Sequence, residues 1–356
     1  MGIVRTVEGR KAELEEFHRG IMRTVPKARK WKEEDDDNYV GRDVVEPAAD
    51  HESNKLVCVT SGTTLLGLAI VNRLLGRGYS VRITLENQED LERLTEMDDS
   101  ENCSRISVVM TQLTKLESLC EAFSGCSGVF HTSSFIDPAG LSGYTKNMAD
   151  LECNAAEKVM EACARTESVR RCVFTSSLLA CVWQANDIHH PDRPRLLDES
   201  CWSEETLCRD NKLWLALGKT KAERTAWRVA READLKLTTV CPALLTSPQS
   251  SNRNSSATLA YLKGAKEMFR KRLLATVGVD KAAEAHVRVY EAQEACGRFI
   301  CYDRVIDQDE DATQLTGTEE GVVSDMSGES QPLFRLSNSK LYNLLYPFSS
   351  CSRRHC

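Results

Sequence analysis

The stretch Lys212-Leu213-Trp214-Leu215-Ala216-Leu217-Gly218-Lys219 lies in a segment, Asn211 to Ala230, with few helix breakers and apolar residues at 213, 214, 217, 226 and 229. Residues four apart share one face of a helix, so position 215 and Lys219 point the same way. A phenol one turn before such a lysine is suited to carbonyl reduction. The phenol hands a proton to the carbonyl oxygen as hydride arrives from a nicotinamide, and the lysine holds the cofactor ribose and lowers the phenol pKa by its charge. Here a lysine stands at 219, and the residue one turn before it is Leu215, which has no proton to give.

A second group of residues bears on a cofactor. The run Thr60-Ser61-Gly62-Thr63-Thr64-Leu65-Leu66-Gly67 follows a short apolar stretch. Loops of this kind carry glycines so that backbone can approach a pyrophosphate at a helix N-terminus. Set against the pattern T-G-x-x-G-x-x-G, only the third glycine, Gly67, is in place. Ser61 and Thr64 stand where the first two belong, and Gly62 is one residue out of register. A Cβ at 64 crowds the pyrophosphate, while the Thr64 hydroxyl is a candidate phosphate ligand, so the pattern implies weakened rather than abolished binding. Glu86 follows about twenty residues on, where an acid accepts from the ribose 2′-hydroxyl of NAD and repels the 2′-phosphate of NADP. A solvated surface glutamate is the plainer reading of the same residue.

The elements that would position these residues alternate. Leu56 to Thr60 reads as a buried strand, Ser61 to Gly67 as a turn, Leu68 to Gly76 as a helix and Tyr79 to Leu85 as a second strand. Strands follow at Ile106 to Val109, Gly128 to His131, Arg171 to Thr175 and Lys236 to Val240, separated by helices at Leu116 to Phe123, Ala149 to Arg165 and the segment bearing Lys219. Such alternation predicts an α/β doubly wound parallel sheet with right-handed crossovers. Beyond Pro242 the pattern loosens. Ala257 to Phe269 and Lys281 to Ala295 read as helices, and Arg298 to Cys301 and Leu333 to Leu336 as strands. The acidic segment 303–331 is expected to be a mobile loop. The resulting division is a mobile extension over 1–54, a dinucleotide-binding domain over 55–245, a smaller substrate-binding lobe over 246–349 and a tail over 350–356.

Composition narrows the function classes. A formal charge of −7 over 356 residues argues against a general nucleic-acid binder. No apolar run approaches the ~20 residues of a membrane span. The fifteen cysteines are scattered without metal-ligand spacing, so no metal site is expected. With no signal-like apolar segment at the N-terminus, reduced thiols and a cytoplasmic location are expected. Gly2, in Met1-Gly2-Ile3-Val4-Arg5-Thr6, fits an N-myristoylation acceptor, and one such chain gives only weak membrane association.

With these residues placed, the chain resembles the plant cinnamoyl-CoA reductase and dihydroflavonol reductase group of extended short-chain dehydrogenases, a Rossmann-type fold. The likeness runs from about Lys55 to Ala295 and returns at Phe334 to Leu345. GVFHTSS at 128–134, VRRCVFTSS at 169–177 and LDESCWSEETLC at 197–208 carry it. The most specific stretch is KLWLALGK at 212–219, which is similar to the signature K-N-W-Y-C-Y-G-K with the asparagine, both tyrosines and the cysteine replaced.

The resemblance implies roles residue by residue. Ser177 matches the serine that hydrogen-bonds the substrate carbonyl, Lys219 the ribose-binding lysine, and Leu215 stands at the catalytic tyrosine. Glu86 replaces the arginine that grips the NADP phosphate. Gln112 and Leu113 stand where an Asp-Leu pair reads the adenine. Thr132 and Ser133 lie on the loop under the cofactor, and Pro242 begins the segment near the nicotinamide. With Ser61, Gly62, Thr64, Leu65, Leu66 and Gly67 they make up the expected NAD(P) site, weakened and favouring NAD(H). Ser177 as a simple turn residue and Lys219 as a solvated helix lysine remain the plainer alternatives. Two functions follow: a weakly active or non-catalytic relative with a sensing or regulatory role, or an active reductase of a hydroxycinnamoyl-CoA thioester or related small carbonyl compound. The oligomeric state is left open.

Overall fold

The computed structural model describes residues 55–87, 103–132, 144–185, 194–247, 256–316 and 334–347. The extension 1–54 with its Gly2 motif, Ser133, the second half of the acidic segment and the tail lie outside them.

The first half of the chain is built as the alternation predicts. β1 (Leu56–Thr60), α1 (Leu65–Gly76) and β2 (Ser80–Leu85) come first. Then follow β3 (Ile106–Met110), α2 (Leu116–Phe123), β4 (Gly128–His131), α3 (Lys146–Arg165) and β5 (Arg171–Thr175). A short α4 (Leu179–Val182), β6 (Arg195–Leu197) and α5 (Glu205–Asp210) lead to the long α6 (Trp214–Glu232) and β7 (Lys236–Pro242). The remainder comprises β8 (Leu244–Thr246), α7 (Ser256–Leu262), α8 (Ala265–Arg270), β9 (Ala275–Gly278), α9 (Val279–Glu291), β10 (Gly297–Cys301), β11 (Arg304–Val305), α10 (Asp309–Thr316), β12 (Phe334–Leu336) and α11 (Ser339–Leu345).

Seven strands form one sheet in the order β10-β7-β5-β4-β1-β2-β3, with every neighbouring pair parallel. Because side chains alternate along a strand, β1 sends Val57 and Val59 to one core and Cys58 to another. The first core is closed by the apolar stripe of α1 (Ile70, Val71, Leu74) and by α9. The second is closed by α3 and α6, through small residues such as Ala155, Ala156, Ala222 and Ala226. Ligand crevices in such sheets open at the carboxyl ends of the strands, where the order reverses, here between β1 and β4.

The structure departs from the sequence reading in several places. The helix after β1 begins at Leu65, not Leu68, because Thr64 caps it: its side chain accepts from Gly67 N. Asn211 closes α5, and Lys212 at φ 53° turns the chain, so the long helix starts at Trp214. Gly264 at φ 93° likewise splits the expected 257–269 helix into α7 and α8. Two small sheets join the lobe to the chain before 246: a three-stranded sheet, β11-β9-β8, and a parallel pair, β12-β6. The first half of 303–331 is not a loop. It forms β11 and α10, anchored by the buried Ile306 and Ala312. Among the described residues no helix is long and apolar enough to cross a membrane, and no cluster of three or more His, Cys, Asp or Glu is placed to hold a metal.

Two buried histidines make the fold pH-sensitive. His131 Nδ1 lies 3.0 Å from Thr60 Oγ1, and His286 Nε2 lies 2.9 Å from Thr175 Oγ1. Burial pushes the His131 imidazole down to about 3, with the Lys219 charge adding to the effect, and burial pushes His286 down to about 4. The unfolded histidines titrate near ~6.5. Below that pH the unfolded chain takes up protons that the folded one refuses, so stability is full above ~6.5 and is lost as pH falls. Going from pH 7 to 5 should cost about 2 kcal/mol per histidine. Urea unfolding at each pH measures this, and His131→Gln and His286→Gln should each flatten the slope in that window.

Candidate functional site

At the loop after β1, Ser61 adopts the left-handed conformation, φ 51°, that glycine takes without strain. Gly62 lets the loop lie on β2, since a Cβ there would meet Ile83 Cγ2 at 2.6 Å. Gly67 lets α1 close on the loop, its missing Cβ pointing at Ser61 O and lying 2.9 Å from Gly62 Cα. The loop is therefore packed tightly against β2 and the start of α1, with a glycine spacing of its own. The Thr64 hydroxyl is not waiting for a ligand, however. It accepts from Gly67 N at 3.1 Å and donates to Ser61 O at 2.9 Å. Its one proton is engaged within the loop, so a phosphate contact would require the hydroxyl to turn away from Ser61 O. A ligand would have to displace a cap worth about 1 kcal/mol.

Glu86, Gln112 and Leu113, expected to border the adenine and its ribose, lie just past the ends of β2 and β3. The Glu86 carboxylate, at the end of β2, accepts from Leu113 N at 3.3 Å. Glu86 is exposed yet tethered to the neighbouring strand end, which is more than the plainer surface reading requires. These three residues, with Ser61, Gly62 and Gly67, do not face the main cleft.

That cleft encloses about 660 Å³ at the carboxyl ends of the strands. It brings together Thr64, Leu65, Leu66, Thr132, Ser177, Leu215, Lys219 and Pro242 from the expected set. Thr132 is fixed by its side chain, which donates to Thr60 O at 2.5 Å, and by its N–H, which donates to Thr60 Oγ1 at 3.2 Å. Ser177 accepts from Leu179 N at 3.2 Å. It therefore serves the turn into α4 and keeps its own proton to donate. Its neighbour Ser176 donates to Glu223 Oε2 at 2.6 Å. Leu215 lies half-buried in the first turn of α6 and puts an isobutyl group against the cleft.

Lys219 is only 6 % exposed, which removes its reading as a solvated helix lysine. Its ammonium pairs with Glu152 of α3, and the Tyr144 hydroxyl donates to the other oxygen of that carboxylate. Burial first, and Glu152 second, push the Tyr144 phenol far above its usual range, so it stays protonated. Gly218 makes room for this arrangement, since a Cβ there would meet the Tyr144 hydroxyl at 2.6 Å. The sequence reading missed Tyr144, Glu152 and His131. A signal for Glu152 was present: Ala149, Ala156 and Met160 lie three before, four after and eight after it, and all three are buried. At that spacing a glutamate must enter the packed face.

The far wall belongs to the lobe. Leu244, Leu245, Tyr261, Ile306 and Leu315 give it an apolar surface, and Arg304 and Asp311, paired at 3.0 Å, stand at its rim. The cleft is thus walled by the loop after β1, Thr132, Ser177 and α6 on one side and by this mainly apolar surface on the other.

Comparisons with known proteins agree with this geometry. A sequence model of the 3-beta hydroxysteroid dehydrogenase/isomerase family matches residues 58–204. Cinnamoyl-CoA reductase 1 of Petunia hybrida is 31% identical over 309 residues, covering 83% of this chain and 89% of its own length. Tetraketide alpha-pyrone reductase 1 of Arabidopsis thaliana is 33% identical, with 71% and 78% covered. Vestitone reductase from alfalfa superposes with a TM-score of 0.60 at 24% identity, covering 81% of this chain and 91% of that one. Yeast methylglyoxal/isovaleraldehyde reductase Gre2, solved with NADPH, also gives 0.60, at 22% identity with 82% and 92% covered. The chain belongs to the cinnamoyl-CoA reductase and dihydroflavonol reductase-like family of extended short-chain dehydrogenases/reductases.

Proposed function

We propose that this chain is a cinnamoyl-CoA reductase-like protein that keeps a dinucleotide groove but lacks the proton donor, leaving it weakly active or non-catalytic with a sensing or regulatory role. The observation that carries the reading is Leu215 in the cleft wall, one helical turn before Lys219. The residues present fit a nicotinamide dinucleotide in outline, through the glycine-cradled loop, Thr132 and Lys219. A bound nicotinamide would supply hydride. The chain's own task is to hold the carbonyl and deliver a proton to its oxygen. Ser177 can orient the oxygen, but no phenol faces it from 215. General acid catalysis is typically worth ~10²–10⁴-fold, or about 3–5 kcal/mol of barrier, so its loss leaves a poor enzyme rather than an inert one.

The second reading, an active reductase of hydroxycinnamoyl-CoA or a related phenylpropanoid carbonyl, is favoured by Ser177 and Lys219 facing one cleft. In it, Ser177, Lys219 or a water would deliver the proton. The names of the relatives supply both thioester and pyrone substrates for trial.

Cofactor preference follows from Glu86. If its carboxylate borders the ribose, NADH should bind at least as well as NADPH, and both more weakly than in a relative with the full glycine loop. Fluorescence titration of the purified protein with each nucleotide measures this, and Glu86→Arg should shift preference toward NADPH. A strong wild-type preference for NADPH would mean that Glu86 points away from the ribose.

Turnover tests the missing donor. The wild type should reduce hydroxycinnamoyl-CoA slowly or not at all. Leu215→Tyr should raise kcat toward the lower end of the ~10²–10⁴ range if the loop holds a dinucleotide. If it does not, the double change with Thr64→Gly should be needed. Wild-type turnover at the rate of an ordinary reductase would overturn the non-catalytic reading.

A further inference from the structure

The lysine at the centre of the site is not the lone charge that its role in a reductase requires. We propose that Glu152 is an internal counter-ion that cancels the charge of Lys219 in the cleft, and so restrains both cofactor binding and the acidity of any phenol at position 215. The proposal rests on the reading above that the cleft descends from a reductase site, and it concerns a residue outside the loop, strand-end and helix positions that make up that site.

Three observations carry it. First, the side chains of Lys219 and Glu152 are 8 % and 4 % exposed, so little water screens their attraction, and charges in such a place interact far more strongly than at a surface. Second, the carboxylate is held from both sides. One oxygen faces the ammonium, the other accepts the Tyr144 hydroxyl, and that hydroxyl also lies 3.3 Å from Met148 O. Third, the counter-ion sits behind the lysine. Lys219 lines the cleft, whereas Glu152 and Tyr144 stand in the α3–α6 packing.

The neighbouring groups do not restore the charge. His131 is neutral, its imidazole held at about 3 by burial and then by Lys219. Asp150 and Lys221 pair with each other at 3.0 Å on the outer surface. Tyr144 is a neutral donor. Among the described residues, the contact at Lys219 pairs one cation with one anion. A contact pair acts on a nearby phenol as a dipole, whose field falls faster with distance than that of a single charge. A ribose approaching Lys219 must also compete with a carboxylate that already accepts from it, and a charge-assisted bond to a carboxylate is stronger than one to a hydroxyl.

Two consequences can be measured. In a chain carrying Leu215→Tyr, the introduced phenol can be titrated by its tyrosinate absorbance, with the parent chain subtracted. Adding Glu152→Gln should lower that phenol's pKa by about one unit or more, as expected when a lysine charge is uncovered. Tyr144→Phe, which keeps both charges, should not. Circular dichroism checks the fold, and if Glu152→Gln does not fold, Glu152→Asp draws the carboxylate back by one methylene and should give a smaller shift of the same sign. An unchanged phenol pKa, or an equal shift with Tyr144→Phe, overturns the proposal. In the otherwise wild-type chain, Glu152→Gln should tighten NADH and NADPH alike, by about tenfold, since the lysine would meet the ribose they share; Glu86→Arg should instead separate them. If no variant binds either nucleotide, the reductase-site reading fails, while the phenol titration still decides whether Glu152 masks the lysine.

Discussion

Glu223 is fully buried, and a carboxylate in that position is tolerable only if every oxygen is satisfied. Here Ser176, Thr239 and both Nε and Nη2 of Arg298 donate to it, at 2.6 to 3.0 Å. Arg298 in turn stacks on Trp202 at 3.7 Å and donates to the carbonyls of Glu199 and Cys201. This one pair ties α6 to β5, β7 and β10. The cleft residues hang from it. Ser177 is next to Ser176, Lys219 lies one turn before Glu223, and Pro242 ends the strand that carries Thr239. Breaking such a pair by removing one partner typically costs ~3–5 kcal/mol, so the geometry of the site and the stability of the sheet are one quantity.

A second pattern concerns the polar groups facing the cofactor end. In a site built for a ligand, donors and acceptors are left for the ligand to satisfy. In this chain several are satisfied internally. Thr64 caps its own helix, Glu86 takes an N–H from Leu113, and Lys219 is paired with Glu152. The backbone cradle around Gly62 and Gly67 is retained all the same. The loop backbone is set by packing, and these side chains find partners within the protein.

How much of this could be read beforehand depended on whether the cause was local. The seven strands of the main sheet are short apolar runs between helical segments, and each falls within a residue or two of its expected place. The lobe strands were harder. β6, β8 and β11 have two or three residues each, and pair with partners distant in sequence, so no periodicity marks them. α10 was read as loop because its Asp309, Glu310 and Asp311 look like a solvated run. Those acids belong to the first turn of a helix, where its dipole favours them. Of the residues brought to one cleft, Leu215 and Lys219 were singled out by their helical spacing and Ser177 by the family resemblance. Their partners were not, because Tyr144 precedes the cap of another helix and Glu152 lies within it, and a charge in a helix is by default assigned to water.

The self-capped Thr64 loop bears on how a ligand of the cleft would bind. A residue that completes its own helix end stabilises the empty protein, so replacing it by glycine to welcome a phosphate gives up an internal bond before any ligand repays it. The same holds for a lysine that already has its carboxylate. A ligand of this cleft therefore binds by exchange: its groups must replace bonds the chain already makes to itself, so the affinity it shows is the difference between two sets of hydrogen bonds.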